Sequence, residues 1–133
     1  RGTQLKDTIQ RLYDAGAREI HMRPACPPLI FGCKFLNFSR SRSVMDLAGR
    51  RAIKELGDGE RQLTEYANPD SDRHRTMVER IRQRLGLTSL RYQRLPDLVN
   101  AIGLPKERLC TYCWDGVESC ATCSVREPLI SLK

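Results

Sequence analysis

Six cysteines are the residues of this chain best suited to chemistry: Cys26, Cys33, Cys110, Cys113, Cys120 and Cys123. Four of them form two pairs, Cys110-Thr111-Tyr112-Cys113 and Cys120-Ala121-Thr122-Cys123. A two-residue gap lets both thiolates face one metal from a single tight turn. Only the stretch Trp114 to Ser119 separates the pairs, less than the roughly 15–20 residues of a zinc ribbon. Zn2+ held by Cys110, Cys113, Cys120 and Cys123 is one reading, and an iron–sulfur cluster is another, because thiolate sulfur serves both. A redox dithiol or disulfide bonding also fits the bare pattern. Cys33, alone in the sequence, reads as a small core residue. His21 falls on a strand and His74 on a polar helix face, and neither sits in a nucleophile motif. Trp114 reads as packing beside the cysteine site.

The charge balance is +7, from 23 Lys+Arg against 16 Asp+Glu. Clustered cations invite nucleic acid, and the densest cluster is Arg73, Arg75, Arg80, Arg82 and Arg84. Met77, Val78, Ile81 and Leu85 interrupt it at helical spacing, so one face is buried and the arginines occupy the others. No aromatic residue interleaves with them, which argues against single-strand stacking. A solvated helix surface is the expectation, with a basic zinc-binding nucleic-acid module as the alternative function. Hydrophobic residues make up 40% of the 133, enough for one folded core. No apolar run approaches the ~20 residues of a membrane span, so no membrane partner is expected, and a cytoplasmic location is.

The elements that must position these residues follow from periodicity and punctuation. Leu5, Ile9, Leu12 and Tyr13 mark an amphipathic helix over residues 3–15, with Thr3 as N-cap and Gly16 as its end. Arg18 to Arg23 alternates as a strand, which Pro24, Pro27 and Pro28 terminate. A second helix is expected over 44–56, capped by Ser43, with Val44, Leu47, Ala48 and Leu56 inward. Asn68-Pro69-Asp70-Ser71 starts the arginine-bearing helix, which stops near Gly86. Ser89 to Gln93 reads as a short strand, and Leu95, Leu98, Val99 and Ile102 as a helix ended by Gly103. From Lys106 a cysteine-bearing loop runs into the tail. The order is mainly helical with one or two short strands, and its opening looks like the second half of a β-α-β unit.

Taken together in order, these motifs resemble the glutamine phosphoribosylpyrophosphate amidotransferases. Arg1-Gly2-Thr3-Gln4 matches the end of that family's phosphoribosyl-binding loop, Arg-Gly-Thr-Thr, with Gln4 in place of the last Thr. A helix follows, then Glu19-Ile20-His21-Met22-Arg23 for the family's Glu-Val-His-Val-Arg, then Cys26-Pro27-Pro28 for its Ser-Pro-Pro. Cys33, Cys110 and Cys113 stand where the family has a lone cysteine and a later Cys-x-x-Cys. Phe35-Leu36-Asn37-Phe38 departs from the family's Tyr-Gly-Ile-Asp. The likeness runs from residue 1 to about residue 116.

The resemblance implies an α/β fold, the C-terminal part of a type I phosphoribosyltransferase domain, ending in a cysteine-rich loop. It implies three regions: 1–38 with the end of the loop, helix, strand and first cluster cysteine; 39–105 as a helical extension; and 106–133 as the cysteine-rich segment. The implied reaction makes 5-phosphoribosylamine, the first step of de novo purine synthesis. Glutamine-derived ammonia attacks the ribose of phosphoribosylpyrophosphate, with Mg2+ accompanying the substrate. Arg1, Gly2, Thr3 and Gln4 would hold the 5-phosphate, since a glycine-permitted loop at a helix N-terminus offers converging N–H donors. Cys33, Cys110 and Cys113 would be three of four ligands of a [4Fe–4S] cluster. The fourth ligand, the acidic pair that holds the ribose and the N-terminal glutaminase domain would all precede Arg1. The chain therefore reads as the C-terminal piece of a longer enzyme, not catalytic alone, and a homo-oligomer is expected.

Overall fold

The computed structural model describes residues 2–33 and 47–118. Their order is α1 (Gly2–Asp14), β1 (His21–Met22), α2 (Ala48–Glu55), α3 (Leu63–Ala67), α4 (Asp72–Leu85), β2 (Ser89–Leu90), α5 (Leu95–Ile102) and α6 (Tyr112–Asp115). Turns of 3-10 helix at Glu60–Gln62 and Lys106–Arg108 lead into α3 and towards α6.

Local chemistry sets α4. The Ser71 hydroxyl accepts the His74 backbone N–H at 3.0 Å, Asp72 sits in the first turn, and Gly86 ends the helix at φ 71°. These are an N-cap, a charge matched to the helix dipole and a left-handed C-cap. Its buried stripe is His74, Met77, Ile81 and Leu85, with Val78 at the margin. Around it close Ile9 of α1, Ala52 and Ile53 of α2, Tyr66 of α3, and Ile30, Leu87 and Leu90. Helix α2 comes so near that a Cβ on Gly49 would lie 3.0 Å from the Leu29 carbonyl oxygen. A side chain there would force that backbone oxygen to give by a few tenths of an ångström.

Strands β1 and β2 pair in parallel, His21 with Ser89 and Met22 with Leu90. The fold is thus mainly helical with a two-stranded parallel sheet. The pairing continues at both ends, where Thr88 N–H reaches the Ile20 carbonyl at 2.9 Å and Arg91 N–H the Met22 carbonyl at 3.2 Å. His21 Nδ1 and Ser89 Oγ lie 2.8 Å apart across the pair.

Several expectations are corrected. Helix α1 begins at Gly2, so Thr3 lies inside its first turn rather than at its cap. Both strands are shorter than their alternating stretches, because the paired register covers only two residues of each. Helix α2 begins at Ala48 after Leu47, which makes no side-chain cap bond; Ser43 and Val44 lie outside the described residues. Leu47 is buried and Ala48 and Leu56 pack half-buried against the core as expected, while Ala52 and Ile53 are buried deepest. Helix α3 is not among the expected elements, although its Tyr66 is 1% exposed. His74 is not on a polar face. It is buried, and its Nδ1 donates to the Tyr66 carbonyl at 2.7 Å, a partner that only the packing of α3 on α4 supplies.

Candidate metal centre

The segment after β1 and the turn of α6 are built against each other. Ile30 is fully buried in the core, which fixes the chain that carries Phe31 and Cys33. The backbone N–H groups of Ile30 and Phe31 both donate to the Cys113 carbonyl, each at 3.0 Å. On the other side, Thr111 is 1% exposed and precedes α6. Its hydroxyl donates to Asp115 Oδ2 at 2.9 Å, and Asp115 also pairs with Lys106 at 2.9 Å. The cysteine-bearing loop therefore contains one helical turn. Phe31 and Tyr112 meet ring to ring at 5.9 Å. Gly116 follows at φ 73°, and a Cβ there would stand 2.7 Å from Phe31 Cζ.

Cys33 is buried, Cys113 half-buried and Cys110 exposed, and none of the three is disulfide-bonded among the described residues. Burial pushes the Cys113 thiol up to about 12, with Cys33 adding through its charge and a hydrogen bond, and Cys110 through its charge. The structure thus brings the lone cysteine of the sequence against the Cys-x-x-Cys. The Cys113 thiol is protonated as it stands; a bound cation would reverse that, since a coordinating thiol loses its proton. Among the described residues no group of three or more His, Cys, Asp or Glu side chains is arranged to hold a single metal ion. A cluster asks for something else, because each thiolate then binds its own iron. Cys120 and Cys123, the other half of the zinc reading, lie outside the described residues. Cys26 is exposed and sits by Tyr92 instead, whose hydroxyl is pushed up to about 12 by burial and then by Cys26.

Arg1 also lies outside the described residues. Gly2, Thr3 and Gln4 form the first turn of α1, where backbone N–H groups have no partner within the helix. The Gln4 side chain is exposed. Neither histidine joins these sites: His21 bonds Ser89 and Glu19, and His74 is buried along the core-facing stripe of α4.

The arginine-rich face of α4 is paired throughout. Arg73 meets Asp58 and Glu65, Arg75 meets Asp72, Arg80 and Arg84 share Glu55, and Arg82 forks onto Glu79. These contacts leave no run of unpaired cations along α4 to track a nucleic-acid backbone.

Sequence reasoning missed the two bonds to the Cys113 carbonyl and the contact of Gly116 with Phe31. Only the glycine after a short aromatic turn could have hinted at the latter. Trp114 Nε1 is buried without a partner among the described residues, so Trp114 does pack here, with its polar end unmet.

No protein-family model matches the chain. It is similar to the amidophosphoribosyltransferase of Methanothermobacter thermautotrophicus, 34% identical over 116 residues, which is 87% of this chain and 19% of that protein. It is also similar to the amidophosphoribosyltransferase of Archaeoglobus fulgidus, 39% identical over 57 residues, 43% of this chain and 12% of that protein. The one from Mycobacterium bovis is 29% identical over 117 residues, 87% of this chain and 18% of that protein. The chain spans less than a fifth of the length of any of these three relatives.

Proposed function

We propose that this chain, a relative of one segment of the amidophosphoribosyltransferases, serves in an enzyme that makes 5-phosphoribosylamine from phosphoribosylpyrophosphate and glutamine-derived ammonia. Its fold is the C-terminal part of a type I phosphoribosyltransferase domain, divided as 1–38, 39–105 and 106–133. The observation that carries this reading is the agreement in order of separate motifs, from the loop at α1 to the Cys-x-x-Cys of α6, with relatives matched over 87% of the chain. Residues Arg1, Gly2, Thr3 and Gln4 bind the substrate's 5-phosphate. Free N–H groups at a helix N-terminus hold an anion without a proton transfer, and the absent side chain of Gly2 lets the phosphate approach the backbone. Mg2+ enters with the substrate. The glutaminase domain of the parent chain supplies ammonia, in a cytoplasmic homo-oligomer.

Cys33, Cys110 and Cys113 fit a [4Fe–4S] cluster: the donor set is soft, and Cys33 is packed against Cys113 across 79 intervening residues. Bound there, the cluster supplies cross-linking rather than electron transfer, since the substitution at the ribose involves no redox step. It ties the α6 turn to the segment after β1, the same two pieces of chain that the Cys113 carbonyl already joins.

Replacing Gly2 with Val in the full-length enzyme tests the loop. A raised KM for phosphoribosylpyrophosphate, or loss of turnover, is expected. Unchanged kinetics would remove Gly2 to Gln4 from the site.

A further inference from the structure

A second cluster of cations shares no residue with the loop at α1 or with Cys33, Cys110 and Cys113. Where the parallel strands end, a pocket of about 330 Å³ opens between α4 and the residues after β2. Its wall includes Arg75, Arg91, Arg94, His74 and Tyr92. Open parallel sheets place ligands beyond the carboxyl ends of their strands, and Arg91 follows Leu90 of β2 directly. Arg91 makes its backbone bond to Met22, but its guanidinium has no carboxylate partner among the described residues. Arg75 and Arg94 are paired, with Asp72 and with Asp70 and Asp97, yet each of those carboxylates is more than half exposed. Such pairs are weak and readily shared with a further anion. Glu79 also lines the pocket, but Arg82 and Gln83 hold both of its oxygens.

His74 supplies the independent sign. It is 9% exposed and lines the pocket. Its Nδ1 is committed to the Tyr66 carbonyl, so Nε2 is the ring atom left with no partner among the described residues. Burial disfavours its protonated form, which makes Nε2 a hydrogen-bond acceptor. A ligand that satisfies the whole wall must accept from guanidinium groups and a phenol while donating one O–H to Nε2. Carboxylate and sulfate carry no such proton at neutral pH. Phosphate differs: inorganic phosphate keeps an O–H as its dianion, and a phosphate monoester, whose second pKa is about 6, takes one up at a cost of about 1.4 kcal/mol per pH unit above it. We propose that this pocket binds a phosphate-bearing ligand through Arg91, Arg75 and Arg94, with His74 Nε2 accepting the phosphate's remaining proton.

The test uses the full-length protein with inorganic phosphate, sulfate and acetate as probes. Modification of Arg91 by phenylglyoxal, located by peptide mass mapping, reads this pocket alone and not the loop at Gly2. Phosphate should slow that modification, while sulfate and acetate at equal concentration should not. Calorimetric titration of Arg91→Ala should show phosphate binding here weakened by about tenfold, the size of one lost charge-assisted hydrogen bond. Tyr92→Phe, which removes only a hydroxyl, guards against misfolding and should weaken binding in the same direction. Equal protection by sulfate, an Arg91 rate indifferent to phosphate, or unchanged affinity in both variants overturns the proposal.

Discussion

The Cys113 carbonyl oxygen accepts two backbone N–H groups, from Ile30 and from Phe31, each at 3.0 Å. One atom of the late Cys-x-x-Cys thereby fixes the chain leading to Cys33. The bond rests on Ile30, whose side chain is sealed in the core, so the position of the cysteines is inherited from apolar packing. Ile30→Ala should cost about 2–5 kcal/mol, the range for emptying a buried aliphatic site. Denaturant titration measures it, and faster thiol labelling of Cys33 should accompany it.

Gly116 is the second support of that turn. Gly116→Ala places a methyl against Phe31 in a left-handed backbone conformation. The expected loss is about 1–3 kcal/mol. Phe31→Ala in the same chain should reduce that cost, and a double-mutant cycle reads the coupling. A cost unchanged by Phe31→Ala would assign the whole effect to the backbone.

His74 ties stability to pH. Burial lowers its pKa from the ordinary 6.5, opposed by its bond to Tyr66 and by Asp70. The unfolded chain then binds the proton more readily than the folded one, so this contribution is complete above pH 6.5 and is lost as pH falls through the lowered folded value. Unfolding midpoints across that window should fall with pH in the wild type. In His74→Gln the slope should be smaller.

Tyr66 is the hub between α3 and α4: its ring is buried and its hydroxyl donates to Asp58, which also receives Arg73. Burial raises the hydroxyl's pKa, and its bond to Asp58 adds to this. Tyr66→Phe keeps the ring and should cost about 1 kcal/mol, one hydrogen bond's net worth. A loss near that of a core truncation would mean that the hydroxyl organises more than Asp58.

The cysteines separate iron from zinc. In the full-length protein, Cys33→Ser should lower bound iron and sulfide, while Cys120→Ser with Cys123→Ser should leave both unchanged. Loss of zinc from the second variant, with Cys33→Ser silent, would favour zinc held by the two Cys-x-x-Cys pairs.

The helix ends are legible in the chain alone. Ser71, Gly86 and Gly103 bound their helices because capping and left-handed turns depend on a few neighbouring residues. The 3.6-residue spacing of Met77, Ile81 and Leu85 chose the buried face of α4. The long-range contacts belong to the tertiary structure. His74 shares that stripe, but its burial needed the Tyr66 carbonyl from α3, an element whose five residues carry too little pattern to announce it. The arginines of α4 read alike in sequence, yet their charge is spent on Asp58, Glu65 and Glu55 from other segments and on Asp72 and Glu79 of their own helix. Cys33 met Cys113 for the same reason: no local rule joins residues so distant, and only the shared core, through Ile30, sets them side by side.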